Sequence, residues 1–217
     1  MGTLSWKRIL LSAEFLMLFF GIPLLMFLDT GFSLPSVLLI PILIFILLIL
    51  RFNPEFKWKE LIYLRVSRNN LKKDSIILLA CAASLLLTVL ILFPQKLFNL
   101  PRANPLIWLA LSAFYPVFSA YPQEILFRTY IFKRYPGIFP KNWMKIAASG
   151  LSFSFVHILY YHPLSMILSL IGGIYLATAY RRTGSVLYTA ILHGILGILI
   201  FTLGFGEFFW LEMHEYF

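Results

Sequence analysis

Apolar residues run through this chain in long, nearly unbroken stretches, and polar residues gather in the gaps between them. Crossing a hydrocarbon layer of about 30 Å takes roughly 20 mostly apolar residues in a helix, whereas a spanning strand needs only about 10 with strict alternation. The pattern predicts seven helices, over residues 9–28, 35–50, 75–93, 105–121, 146–161, 163–180 and 186–205. The second is short. The fourth can continue through YPQEILFRTYIF as one long helix, because Pro116 and Pro122 bend a membrane helix without ending it. The expected fold is an all-α, polytopic transmembrane bundle; a β-barrel is excluded. With no repeat or low-complexity stretch to divide it, the chain of residues 1–217 reads as a single membrane domain.

Composition agrees: 60% of residues are hydrophobic and 22 are Phe, more than a soluble domain of this length needs for a core. The 18 Lys and Arg against 9 Asp and Glu would suit nucleic acid, but they lie between apolar runs, where they orient spans and meet lipid headgroups. Membrane lipids are therefore the expected partners and nucleic acid is not. If Lys7 and Arg8 face the cytosol, the same side holds Arg51, Lys57, Lys59, Arg65, Arg68, Lys72 and Lys73, then Lys133, Arg134, Lys141 and Lys145, then Arg181 and Arg182. The opposite side receives Lys96 and Arg102, which predicts seven spans with the N-terminus inside and the C-terminus outside. The tail GEFFWLEMHEYF then forms an acidic, aromatic outer belt, and the loop RFNPEFKWKELIYLRVSRNNLKKD lies on an anionic inner leaflet. The N-terminal apolar run is too long for a cleaved signal and reads as a retained span. Cys81 is a single cysteine, so neither an intramolecular disulfide nor a cysteine metal cluster is available.

Ionisable residues at membrane depth are costly and normally face the bundle interior with partners. Glu14 lies near the start of the first span, close enough to reach the interface, and reads as structural. Glu124 and Arg128 are four apart on one helical face and can pair, either as a pin for the helix end or as part of a site. Gln123 points about 100° away and offers donor and acceptor groups. His157 follows Phe153 by four residues, so ring and imidazole share a face. His193 lies about two turns inside the last span, with Gly194 and Gly197 leaving room beside it. Each could be a satisfied core residue alone. Together, a carboxylate and two imidazoles on three helices, all near the cytosolic ends, can converge and activate a water for peptide hydrolysis. Glu124, His157 and His193 are also a zinc-hydrolase ligand set, so a divalent metal is a second route to the same water, although no H-E-x-x-H spacing is present.

His162, before Pro163 at an outer turn, and His214, in the tail, read as solvated. Ser165, Ser169, Gly173 and Ala177 recur every four residues and give the sixth helix a face that a neighbour can approach closely. In RRTGSVLY, Gly184 permits positive φ and Ser185 can cap the last helix.

QEILFR resembles an E-E-x-x-x-R motif, FSFVH an F-x-x-x-H motif, and IGGIYLATAYRRTGSVLYTAILHGILG a Gly-rich helix, T-G-S turn and H-x-x-x-N segment. In this order they resemble the CAAX protease and bacteriocin-processing (CPBP/Abi, type II CAAX prenyl endopeptidase-like) family over about residues 105–200. The resemblance implies an intramembrane endopeptidase that cuts a peptide or C-terminal segment of a membrane-associated protein near the cytosolic face. It is expected in the plasma membrane of a prokaryote. Carried over, Glu124 and His157 activate water, Arg128 orients Glu124, and His193 supplies an oxyanion or ligand group. Gln123 and Phe153 are expected to border the substrate. Gln123 stands where the family has its first glutamate and Gly197 where it has an asparagine. The competing expectation is a protein that kept the scaffold without proteolysis, as a binding or immunity partner or a proton-linked carrier.

Overall fold

In the computed structural model, residues 2–28 and 35–209 are described. Trp210 onward, and with it His214 and most of the expected outer belt, lies outside the described residues. All seven expected stretches are helical, and no strand occurs among the described residues. Helix α1 is Gly2–Leu16, prolonged by a π-turn at Met17–Gly21 and by Ile22–Leu28. It is followed by α2 (Pro35–Arg51), α3 (Arg68–Leu92), the composite α4 described below, α5 (Asn142–Val156), α6 (Pro163–Thr183) and α7 (Val186–Leu203). Among the described residues four helices are long and apolar enough to cross a membrane, Trp6–Leu28, α3, α6 and α7. Helix α3 exposes Leu79, Leu87 and Ile91, the dress of a lipid-facing span.

The fourth expected helix does continue. Pro105–Tyr115 passes into a π-turn at Pro116–Ala120, then Tyr121–Glu124, a second π-turn at Ile125–Tyr130, and Ile131–Arg134. Pro116 and Pro122 cannot donate to the carbonyl a turn behind, so the chain opens into wider turns rather than breaking. The composite spans about 45 Å at the usual rise, and this α4 carries the QEILFR segment through the middle of the bundle. Its residues 124–131 are all buried.

Two boundaries differ from expectation. Helix α3 starts at Arg68, because the Ser67 hydroxyl accepts the Asn70 amide at 3.2 Å, and Asp74 thereby enters the helix as a fully buried carboxylate. Helix α5 stops at Val156, and His157–Tyr160 form a 3₁₀ turn, so His157 sits at a helix end rather than inside a span.

The expected small-residue face of α6 meets α5. A Cβ added to Gly150 would lie 2.7 Å from Ile174 Cγ1, and one added to Gly173 would lie 3.1 Å from Phe153 Cδ1, so the backbones approach as glycine alone allows. At the T-G-S turn Gly184 has φ +63°, and Ser185 Oγ accepts the Tyr188 amide at 3.2 Å, both as expected. His162 is not a free outer histidine: its Nδ1 accepts the Leu164 amide at 3.2 Å, capping α6, and its ring stacks on Phe208 at 4.4 Å.

Much of the phenylalanine is spent on one core. Phe15 and Phe19 of α1 pack with Phe127, Tyr130 and Tyr135, and Phe127 packs edge-on against Phe153. Glu14 pins this corner, accepting from Tyr130 at 2.8 Å, Tyr135 at 2.9 Å and both Nε and Nη2 of Arg134 at 3.0 and 2.7 Å. Its structural reading stands, through partners on and just after α4 rather than through the membrane interface. The 51–74 loop is tied to this end of the bundle by Lys133–Glu60 at 3.0 Å, Tyr121 Oη to Leu61 O at 2.9 Å and Ser185 Oγ to Tyr63 O at 2.8 Å. Phe52, Trp58, Ile62 and Tyr63 stay exposed beside its basic residues.

Candidate active site

Helix α4 supplies Tyr115, Gln123, Glu124 and Arg128, α5 carries Phe153 in its last turn and leads into His157, and α7 supplies His193. Within the second π-turn each backbone bond reaches five residues, and positions four apart still face nearly the same way. Arg128 Nε accordingly lies 3.2 Å from Glu124 Oε2, with both side chains fully buried. The pair is an ion pair by distance without hydrogen-bond geometry. Glu124 Oε2 and all three guanidinium nitrogens have no hydrogen-bond partner among the described residues. The guanidinium instead lies over the Phe153 ring, 4.7 Å from its centroid.

The other carboxylate oxygen, Glu124 Oε1, is 2.9 Å from His193 Nδ1. A carboxylate at this pair accepts, so Nδ1 carries the hydrogen and Nε2 of a neutral ring keeps the lone pair. His157 arrives at the same tautomer by a different route. Its Nδ1 is 2.6 Å from the Phe153 carbonyl one turn back, and a carbonyl only accepts, so here too Nε2 holds the lone pair. Phe153 joins the two imidazoles: its ring centroid is 4.7 Å from that of His157 and 5.3 Å from that of His193. The ring therefore touches Arg128 and both histidines, and the close packing of α5 on Gly173 fixes where it stands.

Of the residues expected at the site, Glu124, Arg128, Phe153, His157 and His193 come together. The hydrogen bond of Glu124 goes to His193 rather than to His157. Gln123 turns to a different face, as its helical offset predicts, is half-buried, and donates from Nε2 to Ser119 Oγ at 2.9 Å. The zinc set of Glu124, His157 and His193 does not form a cage. Among the described residues no group of three His, Cys, Asp or Glu side chains is arranged to hold a metal ion, and Glu124 Oε1 and His157 Nδ1 face protein atoms.

Tyr115 is the residue sequence reasoning missed. Its hydroxyl is 3.0 Å from His193 Nε2. In a span with many aromatic residues, one more tyrosine carries no distinguishing signal; the clue was Gly197, whose missing side chain leaves a volume that something must fill. The room expected beside His193 is in fact occupied, since Gly194 admits Pro116 and Gly197 admits Tyr115.

The family model described as type II CAAX prenyl endopeptidase Rce1-like matches residues 104–199. No curated protein and no solved structure matches the chain. The matched residues begin just before α4 and end within α7, and they contain every side chain of the cluster.

Proposed function

We propose that this integral membrane protein is an intramembrane protease that hydrolyses peptide bonds near the cytosolic face, a reading supported by the match of residues 104–199 to the Rce1-like type II CAAX prenyl endopeptidase model. The observation that carries the reading is the Glu124–His193 hydrogen bond at 2.9 Å, buried beside His157 at the junction of α4, α5 and α7. Buried carboxylates and imidazoles are expensive scaffold, and an under-bonded cluster of them marks a place where polar guests are expected.

In this reading a water enters beside His157, whose Nε2 accepts its proton as the hydroxide attacks the scissile carbonyl, and the imidazolium then returns the proton to the leaving amine. Glu124 holds the His193 ring in one tautomer, and the Arg128 guanidinium, with its N–H groups unbonded among the described residues, provides the positive electrostatic potential where the oxyanion develops. Arg128 also holds Glu124 in place. Gln123 cannot replace a basic carboxylate, since its amide has no basic lone pair, and its part is to contact the peptide beside Ser119. The substrate is a peptide or C-terminal segment of a membrane-associated protein, and the compartment is the plasma membrane of a prokaryote.

The test is cleavage by the purified protein in lipid nanodiscs, using candidate substrates found by comparing membrane peptides of cells with and without the protein. His157→Ala and Glu124→Gln should each reduce the rate by about 10²-fold or more. Peptide profiles that do not change when the protein is absent, or variants as fast as wild type, would favour the scaffold-only alternative, a binding or immunity partner.

A further inference from the structure

Both ring nitrogens of His193 are gripped by α4, Nδ1 by Glu124 at 2.9 Å and Nε2 by the Tyr115 hydroxyl at 3.0 Å. With the hydrogen on Nδ1, the hydroxyl is the donor to Nε2. The same tyrosine fills the space in front of Gly197, one turn beyond His193 on the same face of α7. A Cβ built on Gly197 would lie 2.1 Å from Tyr115 Cε1, 2.6 Å from Cζ and 2.9 Å from the hydroxyl oxygen. No side chain fits at 197 while the phenol is there, and a polar one placed there would claim the position from which Tyr115 holds the imidazole. Three contacts hold the phenol in register. Its ring meets His193 edge-on at 5.9 Å and Phe201 at 5.7 Å, and the adjacent Pro116 is seated where a Cβ on Gly194 would come within 2.9 Å.

We propose that Tyr115 is a positioning residue of the peptidase site described above. From the Nε2 side it fixes the tautomer and orientation of His193, so that a tyrosine on α4 and a glycine on α7 together replace a polar side chain at position 197. The inference rests on the peptidase reading for its catalytic consequence, but the Tyr115–His193–Gly197 arrangement is testable without it. Because both nitrogens of His193 are engaged, the imidazole cannot flip without breaking two hydrogen bonds, and Glu124, His193 and Tyr115 behave as one unit.

Full-length wild type, Tyr115→Phe, Gly197→Asn and the double variant Tyr115→Ala/Gly197→Asn are compared in nanodiscs. The readouts are thermal melting, imidazole ¹⁵N spectra of histidine-labelled protein assigned with His193→Gln, and kcat and KM on a peptide that wild type cleaves. Tyr115→Phe removes one hydroxyl and no volume. It should melt close to wild type, shift the His193 Nε2 resonance away from its hydrogen-bonded position, and lower kcat about tenfold or more with KM little changed. Gly197→Asn should melt lower, and the double variant should regain both melting temperature and part of kcat. An unaltered His193 spectrum in Tyr115→Phe, or a Gly197→Asn protein as stable as wild type, overturns the proposal. If wild type cleaves nothing, the peptidase reading falls, and the spectra and melting curves still decide the role of Tyr115.

Discussion

Two carboxylates, Asp74 and Glu124, are completely buried in this bundle, each within ion-pair distance of an arginine, and they differ in how fully hydrogen bonds surround them. Asp74 Oδ1 accepts from Arg182 Nη2 at 2.6 Å and Tyr175 at 3.1 Å, and Oδ2 accepts from Tyr188 at 2.8 Å, while Arg182 Nη1 reaches Asn70 at 3.3 Å. That cluster ties α3 to α6 and α7, and of its buried side-chain atoms Arg182 Nε alone has no hydrogen-bond partner among the described residues. Around Glu124 one oxygen is bonded, whereas the other and the three nitrogens of the Arg128 guanidinium have no hydrogen-bond partner among the described residues. A saturated network rigidifies; an under-bonded one at the same depth keeps donors and acceptors in reserve for a water or a peptide. The difference separates a clamp from a site.

The strongest way to break this comparison is to replace each pair by apolar residues. Glu124→Leu/Arg128→Met should abolish peptide cleavage, a loss of about 10²-fold or more, yet melt at or above the wild-type temperature, because an under-bonded buried ion pair contributes little net stability. Asp74→Leu/Arg182→Met should do the reverse in stability. It strands the Tyr175 and Tyr188 hydroxyls without their acceptor and should cost about 2–4 kcal/mol by denaturant titration in micelles. Two double variants that melt alike would erase the distinction.

A smaller effect is expected where packing, not charge, supports the site. Gly150→Val puts atoms into the contact with Ile174 and should cost about 1–3 kcal/mol. By pushing α5 off α6 it should also displace Phe153, so cleavage should fall further than stability alone explains; parallel losses in both would indicate a purely structural contact. Phe153→Leu removes the ring under the buried Arg128 guanidinium and should cost about 2 kcal/mol beyond its lost packing, visible as a melting shift that disappears in an Arg128→Met background. Smallest of all, Ser185→Ala should cost about 1 kcal/mol through loss of the α7 cap, with kcat unchanged per folded molecule.

The apolar runs were enough to place all seven helices, since each hydrophobic stretch must satisfy its own backbone inside lipid. Prolines at 116 and 122 already announced a bent, continuous α4. The small-residue face of α6, positive φ at Gly184 and the Ser185 cap were likewise readable, because each depends on neighbours within a few residues. Glu124 and Arg128 were legible as a pair for the same reason. The clamp at Asp74 was not: a single aspartate after two lysines looks like a solvated loop end until Ser67 starts the helix early and draws it inside.

Local sequence therefore determined which segments are helical and which rare polar residues must face inward. The rotation of each helix about its axis decided the rest, and the π-turns of α4 and the glycine contacts of α5 with α6 and of α4 with α7 set those rotations. That Glu124 bonds His193 and not His157, that Phe153 joins both imidazoles, and that Tyr115 stands where residue 197 has no side chain are distances between helices. No spacing along one chain contains them, because a turn of a few tens of degrees about a helix axis exchanges one partner for another at no cost to the hydrophobic pattern.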